Sequence, residues 1–294
     1  MKLSSYLKQK KMQVDCWLDE LLPAPETKPE TIHKAMRYSV MAGGKRIRPI
    51  LAILSAEMFG AEGEDVKLPA CSLELIHTYS LVHDDLPSMD NDDFRRGKPT
   101  CHKVFGEAIG ILAGDALLTE AFNLLHRCPT PILPSLVREI SAAAGSCGMV
   151  GGQVLDMLST GQEIEIEELK TMHRLKTGAL ISTPLVIGAL AAGLSDKDIE
   201  LVRLFGGHLG LLFQITDDLL DATGDEDELG KPVGRDEEKG KATFVSVLGL
   251  TGSRKMAESV LSEALSALAH LPAADEDKRS VMELLAEYLY KRRI

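Results

Sequence analysis

The sequence predicts an all-α protein, and three observations carry that expectation. Apolar residues recur at helical spacing along most of the chain, with almost no strict alternation of apolar and polar positions. The apolar runs are rich in Ala and Leu, which favour helix, and poor in strand formers. The Pro- and Gly-rich breaks at Pro23–Pro29, Gly60–Asp65, Cys128–Pro134 and Thr223–Thr243 punctuate these runs, and none has the composition of a flexible linker. No repeat of fixed period is visible, so the 294 residues are expected to form one domain over 1–294.

The elements follow in order. "MKLSSYLKQKKMQVDCWLDELL" threads charges through its apolar positions, which predicts an amphipathic helix and not a signal peptide. "GGKRIRP", Gly43 to Pro49, gathers Lys45, Arg46 and Arg48 ahead of a proline suited to the first turn of a helix. Cations at a helix N-terminus, where backbone N–H groups are free, make a local anion site; the alternative is a solvated basic turn. "LELIHTYSLVHDD" is a helix on which His77 precedes Asp84 by two turns and shares its face, toward the aspartates or as a satisfied core histidine. Ile109 to His126 is a second Ala- and Leu-rich helix, within which Asp115 is expected to be a buried structural acid. Glycines inside "GMVGGQVLDM" and "FGGHLGLLFQ" would weaken those helices unless they let another helix approach closely. Ala179 to Leu194 is short for a membrane span and carries Ser182, Thr183 and Pro184, so it reads as a buried core helix.

Composition bounds the function. Acidic residues outnumber basic ones by 44 to 33, a net charge of −11, which argues against nucleic acid or an anionic membrane as a partner. Any anion site has to be local. Five widely spaced cysteines without a C-x-x-C pair argue against a disulfide framework or a zinc site, and a reducing cytoplasm is the expected location.

Two acidic clusters stand out. "HDDLPSMDNDD" puts five aspartates within ten residues, followed at once by Arg95 and Arg96. Carboxylates packed so closely raise each other's pKa unless cations hold them. An unbroken helix would rotate Asp90 about 240° away from Asp84. Pro87 breaks the hydrogen-bond ladder, so Asp84 and Asp90 are free to converge on common ions. The second cluster, Asp217, Asp218 and Asp221 in "FQITDDLLD", also ends an apolar helical run, with Asp217 and Asp221 on one face. If the two helices pack side by side, their carboxylates frame one cavity, the geometry of a multi-magnesium cage for a diphosphate. Oxygen ligands favour Mg²⁺ or Mn²⁺ over zinc.

"GGKRIRP", "LIHTYSLVHDDLPSMDNDDFRRGKPTCH", "LAGDALL", "GGQVLDM", "LKTGAL" and "FQITDDLLD", in that order, resemble a bacterial-type farnesyl diphosphate synthase of the trans-isoprenyl diphosphate synthase (polyprenyl synthetase) family. The matching stretches run from Gly43 to about Thr243. The resemblance implies a bundle of mostly antiparallel helices around a central cavity, and a homodimer without a stable membrane anchor. It also implies head-to-tail condensation of isopentenyl diphosphate with the allylic dimethylallyl and geranyl diphosphates.

Carried over position by position, Asp84 and Asp90 resemble ligands of two magnesium ions and Asp217 the ligand of a third, with Mn²⁺ as a substitute; Asp85, Asp218 and Asp221 support them. Arg95 and Lys176 resemble contacts to the allylic diphosphate, with Lys231 and Lys241 similarly placed in a closing segment. Lys45, Arg48, His77 and Arg96 resemble the isopentenyl diphosphate site. Thr177 and Gln214 resemble the groups whose oxygens face a developing carbocation. Gln153 and Asp156 either line the allylic pocket or form a buried hydrogen-bonded pair, and the terminal "YKRRI" reads as a frayed basic tail.

A cyclase of prenyl diphosphates would need the metal cage but no isopentenyl site, so Lys45, Arg48, His77 and Arg96 argue against it. Retention of both acidic clusters argues against a catalytically silent partner subunit. "DLPSMDNDDFRR" lacks the glycine and terminal glutamate of an EF-hand loop. For product length, Tyr79 lies five residues before Asp84, about 7.5 Å along a helix axis. A bulky residue at this position in the family limits the product, which points to fifteen carbons. The helical wheel brings the small Ser80 nearer to the direction of Asp84, which leaves a twenty-carbon geranylgeranyl product as the alternative.

Overall fold

The structure is a computed structural model that describes residues 2–224 and 240–291. Its helices are α1 (Leu3–Leu21), α2 (Glu30–Val40), α3 (Ile47–Met58), α4 (Lys67–Asp84), α5 (Cys101–Phe105), α6 (Glu107–Leu125), α7 (Leu133–Ala144), α8 (Met149–Ser159) and α9 (Ile166–His173), followed by α10 (Ala179–Ala191), α11 (Asp196–Thr223), α12 (Phe244–Ala269) and α13 (Glu276–Lys291). A 3₁₀ turn, Gly63–Val66, leads into α4, and a π-turn, Arg174–Gly178, joins α9 to α10. The all-α expectation holds with one local exception. A hairpin of two-residue strands, β1 (Phe94–Arg95) and β2 (Lys98–Pro99), follows the first acidic cluster. Arg96 and Gly97 both take positive φ at its turn, the backbone that a tight hairpin requires.

Packing runs α6, α4, α3, α10, α11, α12 from neighbour to neighbour. The innermost helices are the ones whose sequence is apolar on all sides. In α3 the residues from Pro49 to Ala56 are all buried, and in α10 so are those from Thr183 to Ala189. Gly188 of α10 sits where a Cβ would lie 2.5 Å from the Ala56 nitrogen, so these two helices touch nearly backbone to backbone.

Helix α11 starts at a proper N-cap, Ser195, whose hydroxyl accepts the Asp198 N–H at 3.3 Å. It then runs 28 residues to deliver its aspartates at the far end. Among the described residues, α6 alone is long and apolar enough to cross a bilayer. It packs mainly against α4 and buries Gly110, Ala113, Leu117, Ala121 and Leu124, while Ile111 and Leu112 stay exposed. Asp115 lies on that outward side with its side chain 60% exposed, so the expected buried acid is a surface residue.

Candidate active site

Helix α4 stops at Asp84, and the chain folds back on itself. The Leu86 N–H donates to the His83 carbonyl at 3.1 Å, and the Asp90 N–H reaches the Asp84 carbonyl at 2.8 Å. The break expected at Pro87 therefore does bring Asp90 back to Asp84. Burial pushes the Asp84 carboxyl up to about 6, with the Asp90 charge adding to the rise and Lys176, Arg95 and Lys241 opposing it. Asp85 is buried and points elsewhere. Both its oxygens accept from Arg95, Nε at 2.8 and 3.0 Å and Nη2 at 2.6 Å, so Asp85 orients that arginine.

The second cluster divides its labour. Asp218 is buried, accepting from the Gln214 amide at 2.7 Å and from the Phe244 N–H at 2.7 Å, which ties the end of α11 to the start of α12. Its amide donating to Asp218, Gln214 keeps a carbonyl oxygen for other use. Asp221 is buried as well. Asp217 borders a cavity of about 170 Å³ with Asp156, His173, Lys176, Gln214 and Lys241. A larger cavity of about 490 Å³ is lined by Arg48, His77, Tyr79, Asp84, Gln153 and Thr177, and again by Lys176. Lys176 thus stands between the two spaces. Lys241 links the clusters from the other side, with Nζ 3.3 Å from Asp90.

The backbone that carries Lys176 and Thr177 is the π-turn, which widens the helix by one residue, an irregularity often found at functional sites. Two glycines grip it. A Cβ on Gly152 of α8 would lie 2.5 Å from Lys176 Cα, and one on Gly210 of α11 would lie 2.7 Å from Gly178 Cα. The close approach that the glycine-rich runs predict is realised at this segment. The Lys176 ammonium donates to the buried Asp156 at 2.6 Å. The partner of Asp156 is therefore Lys176, in place of the i, i+3 pairing with Gln153 considered from the sequence, and Gln153 lines the larger cavity.

Arg48, in the first turn of α3, borders the same larger cavity. Arg48 is half-buried, and its Nε, shut off from solvent, has no hydrogen-bond partner among the described residues. Burial, assisted by Arg96, pushes its guanidinium down to about 10 against the pull of Glu74 and Asp217. Arg96 donates to the Gly43 carbonyl on the turn before α3. His77 is held well below its usual range by burial and by Arg48, Arg96, Arg95 and Arg46, so its imidazole is neutral. Such a concentration of desolvated positive charge favours an anion. Lys45 is exposed on the turn. Lys231 and most of "YKRRI" lie outside the described residues.

Arg46, from the same basic run, has the opposite orientation. Its left-handed backbone (φ 53°) turns the guanidinium inward, where it meets Asp15 and Glu74 at 2.8 Å each and the Val40 carbonyl at 2.7 Å. Sequence reading missed this role, as it missed His173, a buried imidazole stacked on Phe244 beside Asp218. The only advance signal for His173 was its place three residues before Lys176.

Residues 29–285 match the Polyprenyl synthetase family profile. The chain is 44% identical to a farnesyl diphosphate synthase of Geobacillus stearothermophilus, with 94% of each chain covered. It is 45% identical to the large subunit 1 of a heterodimeric geranylgeranyl pyrophosphate synthase of Arabidopsis thaliana, covering 98% of this chain and 79% of the relative. In structure it resembles a geranyltransferase of Helicobacter pylori complexed with magnesium and isoprenyl diphosphate, at a TM-score of 0.88 and 33% identity over 99% of this chain and 98% of that one. With two carboxylate clusters, a lysine between two cavities and an arginine-rich turn already in view, these matches establish that the chain belongs to the polyprenyl synthetase family.

Proposed function

We propose that this enzyme is a short-chain trans-prenyltransferase that condenses isopentenyl diphosphate head-to-tail with dimethylallyl and geranyl diphosphate, releasing diphosphate and giving farnesyl diphosphate. The observation that supports this most is the position of Lys176 between the two cavities, with Asp84 on one and Asp217 on the other, and Asp90 3.3 Å from Lys241 at the second. Among the described residues no three His, Cys, Asp or Glu side chains already form a closed metal site. The all-oxygen donors of the two clusters fit a hard divalent cation.

In this reading Asp84, Asp90 and Asp217 hold Mg²⁺, three ions with the diphosphate bound and replaceable by Mn²⁺. Bound Mg²⁺ supplies positive charge to the departing diphosphate. Lys176, Arg95 and Lys241, with Lys231, bind the allylic diphosphate and stabilise the charge that grows on it as the carbon–oxygen bond breaks. Lys45, Arg48, His77 and Arg96 bind isopentenyl diphosphate; the buried, unpartnered Arg48 Nε supports that role. The oxygens of Thr177, on the larger cavity, and Gln214, on the smaller one, face the allylic cation. The double bond of isopentenyl diphosphate attacks the cation, and the released diphosphate accepts the proton then lost.

Tyr79, 7% exposed and lining the larger cavity, favours a fifteen-carbon product. Relatives carry both farnesyl and geranylgeranyl names, so geranylgeranyl diphosphate is the alternative product. A homodimer in the cytoplasm is part of the same proposal. Ile111 and Leu112 on α6 and Val154, Met157 and Leu158 on α8 are exposed apolar side chains that a second copy would cover. Incubation with isopentenyl diphosphate, either allylic substrate and Mg²⁺ should yield farnesyl diphosphate, and excess chelator should abolish turnover. Turnover that survives the chelator would refute the ion-assisted reading.

A further inference from the structure

The larger cavity has a side wall formed by His83. Tyr79 and His83 are four residues apart on α4, so their side chains share a face. Helical side chains lean toward the N-terminus, which carries the His83 ring over the turn that bears Tyr79. The rings meet edge to face, with centroids 5.7 Å apart at 79°. His83 is itself fixed from α6. Its Nε2 lies 2.9 Å from the Ile111 carbonyl, and it fills the space left by the missing side chain of Gly114. A Cβ on Gly114 would lie 2.8 Å from His83 Cε1 and closer still to Nε2. His83, Tyr79, Ser80 and Ile111 all border the same cavity.

We infer that His83 is a specificity-determining residue for product length, acting by holding the Tyr79 ring across the path of the growing chain. The inference rests on the proposed prenyltransferase reading with Tyr79 as the floor. An aromatic ring is an effective stop only if it has nowhere to turn. Here its retreat toward α6 is blocked by an imidazole that a backbone carbonyl and a glycine hold in place. The position of His83 thus depends on α6 as well as on α4, which makes Gly114 a second, indirect determinant. His83 forms part of the wall and does not meet the reacting atoms, so its loss should change where elongation stops.

The test is product analysis of Tyr79→Ala, His83→Ala, the double variant and Gly114→Ala, each with isopentenyl and dimethylallyl diphosphate and Mg²⁺. His83→Ala should raise the ratio of twenty- to fifteen-carbon product by about tenfold or more, the low end of what reshaping an apolar pocket by one group achieves. Because His83 acts through Tyr79, the double variant should give products no longer than Tyr79→Ala alone. Gly114→Ala pushes the imidazole off the Ile111 carbonyl toward the cavity and should shift product toward ten carbons. If Tyr79→Ala lengthens the product and His83→Ala does not, the His83 inference fails while the floor stands. If neither lengthens it, the floor reading fails with it. Additive lengthening in the double variant would overturn the claim that His83 works through Tyr79.

Discussion

Arg46 and Glu74 form a 2.8 Å ion pair with both side chains almost wholly withdrawn from water. A buried guanidinium is tolerable only when its donors are used, and here Asp15, Glu74 and the Val40 carbonyl use them. The pair fastens the turn that carries Lys45, and the start of α3 with Arg48, to α4, the helix that carries His77 and Asp84. Arg46→Ala would strand Glu74 as an unpaired buried charge, and a loss of about 3–5 kcal/mol is expected in denaturant unfolding. Arg46→Met combined with Glu74→Leu should recover most of that stability. It should still raise the KM for isopentenyl diphosphate, since the turn loses its anchor. If the double variant is as unstable as the single, stranding of Glu74 is not the cause.

His173 governs a separate acid-sensitive limb. Burial lowers its pKa from 6.5 to about 4, an effect that Asp156 opposes and Lys176 reinforces. The unfolded chain takes up a proton below pH 6.5 that the folded chain refuses until about pH 4. The stabilisation is therefore complete above pH 6.5 and lost as pH falls through 4, at roughly 3 kcal/mol in total. His173→Phe keeps a ring stacked on Phe244 and removes the titration. Plotted against pH, unfolding free energies of wild type minus variant should fall between 6.5 and 4; a flat difference would exclude His173 as the titrating group.

Much of this arrangement is legible in the sequence where one local rule decides the outcome. Pro87 forces the bend that returns Asp90 to Asp84, and the unbroken apolar runs mark α3 and α10 as buried. What escapes is set by distant partners. Asp115 sits in an apolar helix, yet it faces outward because α6 leaves one side uncovered. Arg46 belongs to a basic run that reads as an anion site, and only its left-handed backbone turns it inward. The ion pair of Asp156 with Lys176 joins residues 20 apart on separate segments, and no spacing rule proposes it. The π-turn under Lys176 has no periodicity of its own, being five residues long.

Gly152 offers a direct test of that turn. Alanine normally favours a helix by up to about 1 kcal/mol over glycine. At this position the new methyl meets the Lys176 backbone, which cannot rotate away as a flexible side chain would. Overpacking of this kind costs about 1–3 kcal/mol, relieved by shifting the π-turn. Lys176 and Thr177 shift with it, and a displacement near 1 Å at reacting groups lowers rate by about a hundredfold. Gly152→Ala should therefore lose far more turnover than thermal stability. A variant with wild-type kcat would show that the π-turn tolerates the methyl group.

Adjacent arginines at the hairpin should serve different anions. Arg95 lies in the grip of Asp85 at the end of α4, within reach of the Asp84 charge. Arg96, next in the chain but with positive φ, sends its guanidinium to the Gly43 carbonyl beside Arg48 and His77. Removing a charged hydrogen-bond donor from a buried ligand costs about 1.5–3 kcal/mol, or roughly ten- to a hundredfold in binding. Arg95→Ala is expected to raise the KM for the allylic diphosphate by that factor and to leave the isopentenyl KM near wild type; Arg96→Ala should do the reverse. Arg95→Lys keeps the charge but loses the fork that grips Asp85, so it should restore only part of the allylic affinity. Steady-state kinetics with each substrate varied in turn separate the two sites, and equal rises of both constants in both variants would mean that one shared anion site spans the hairpin.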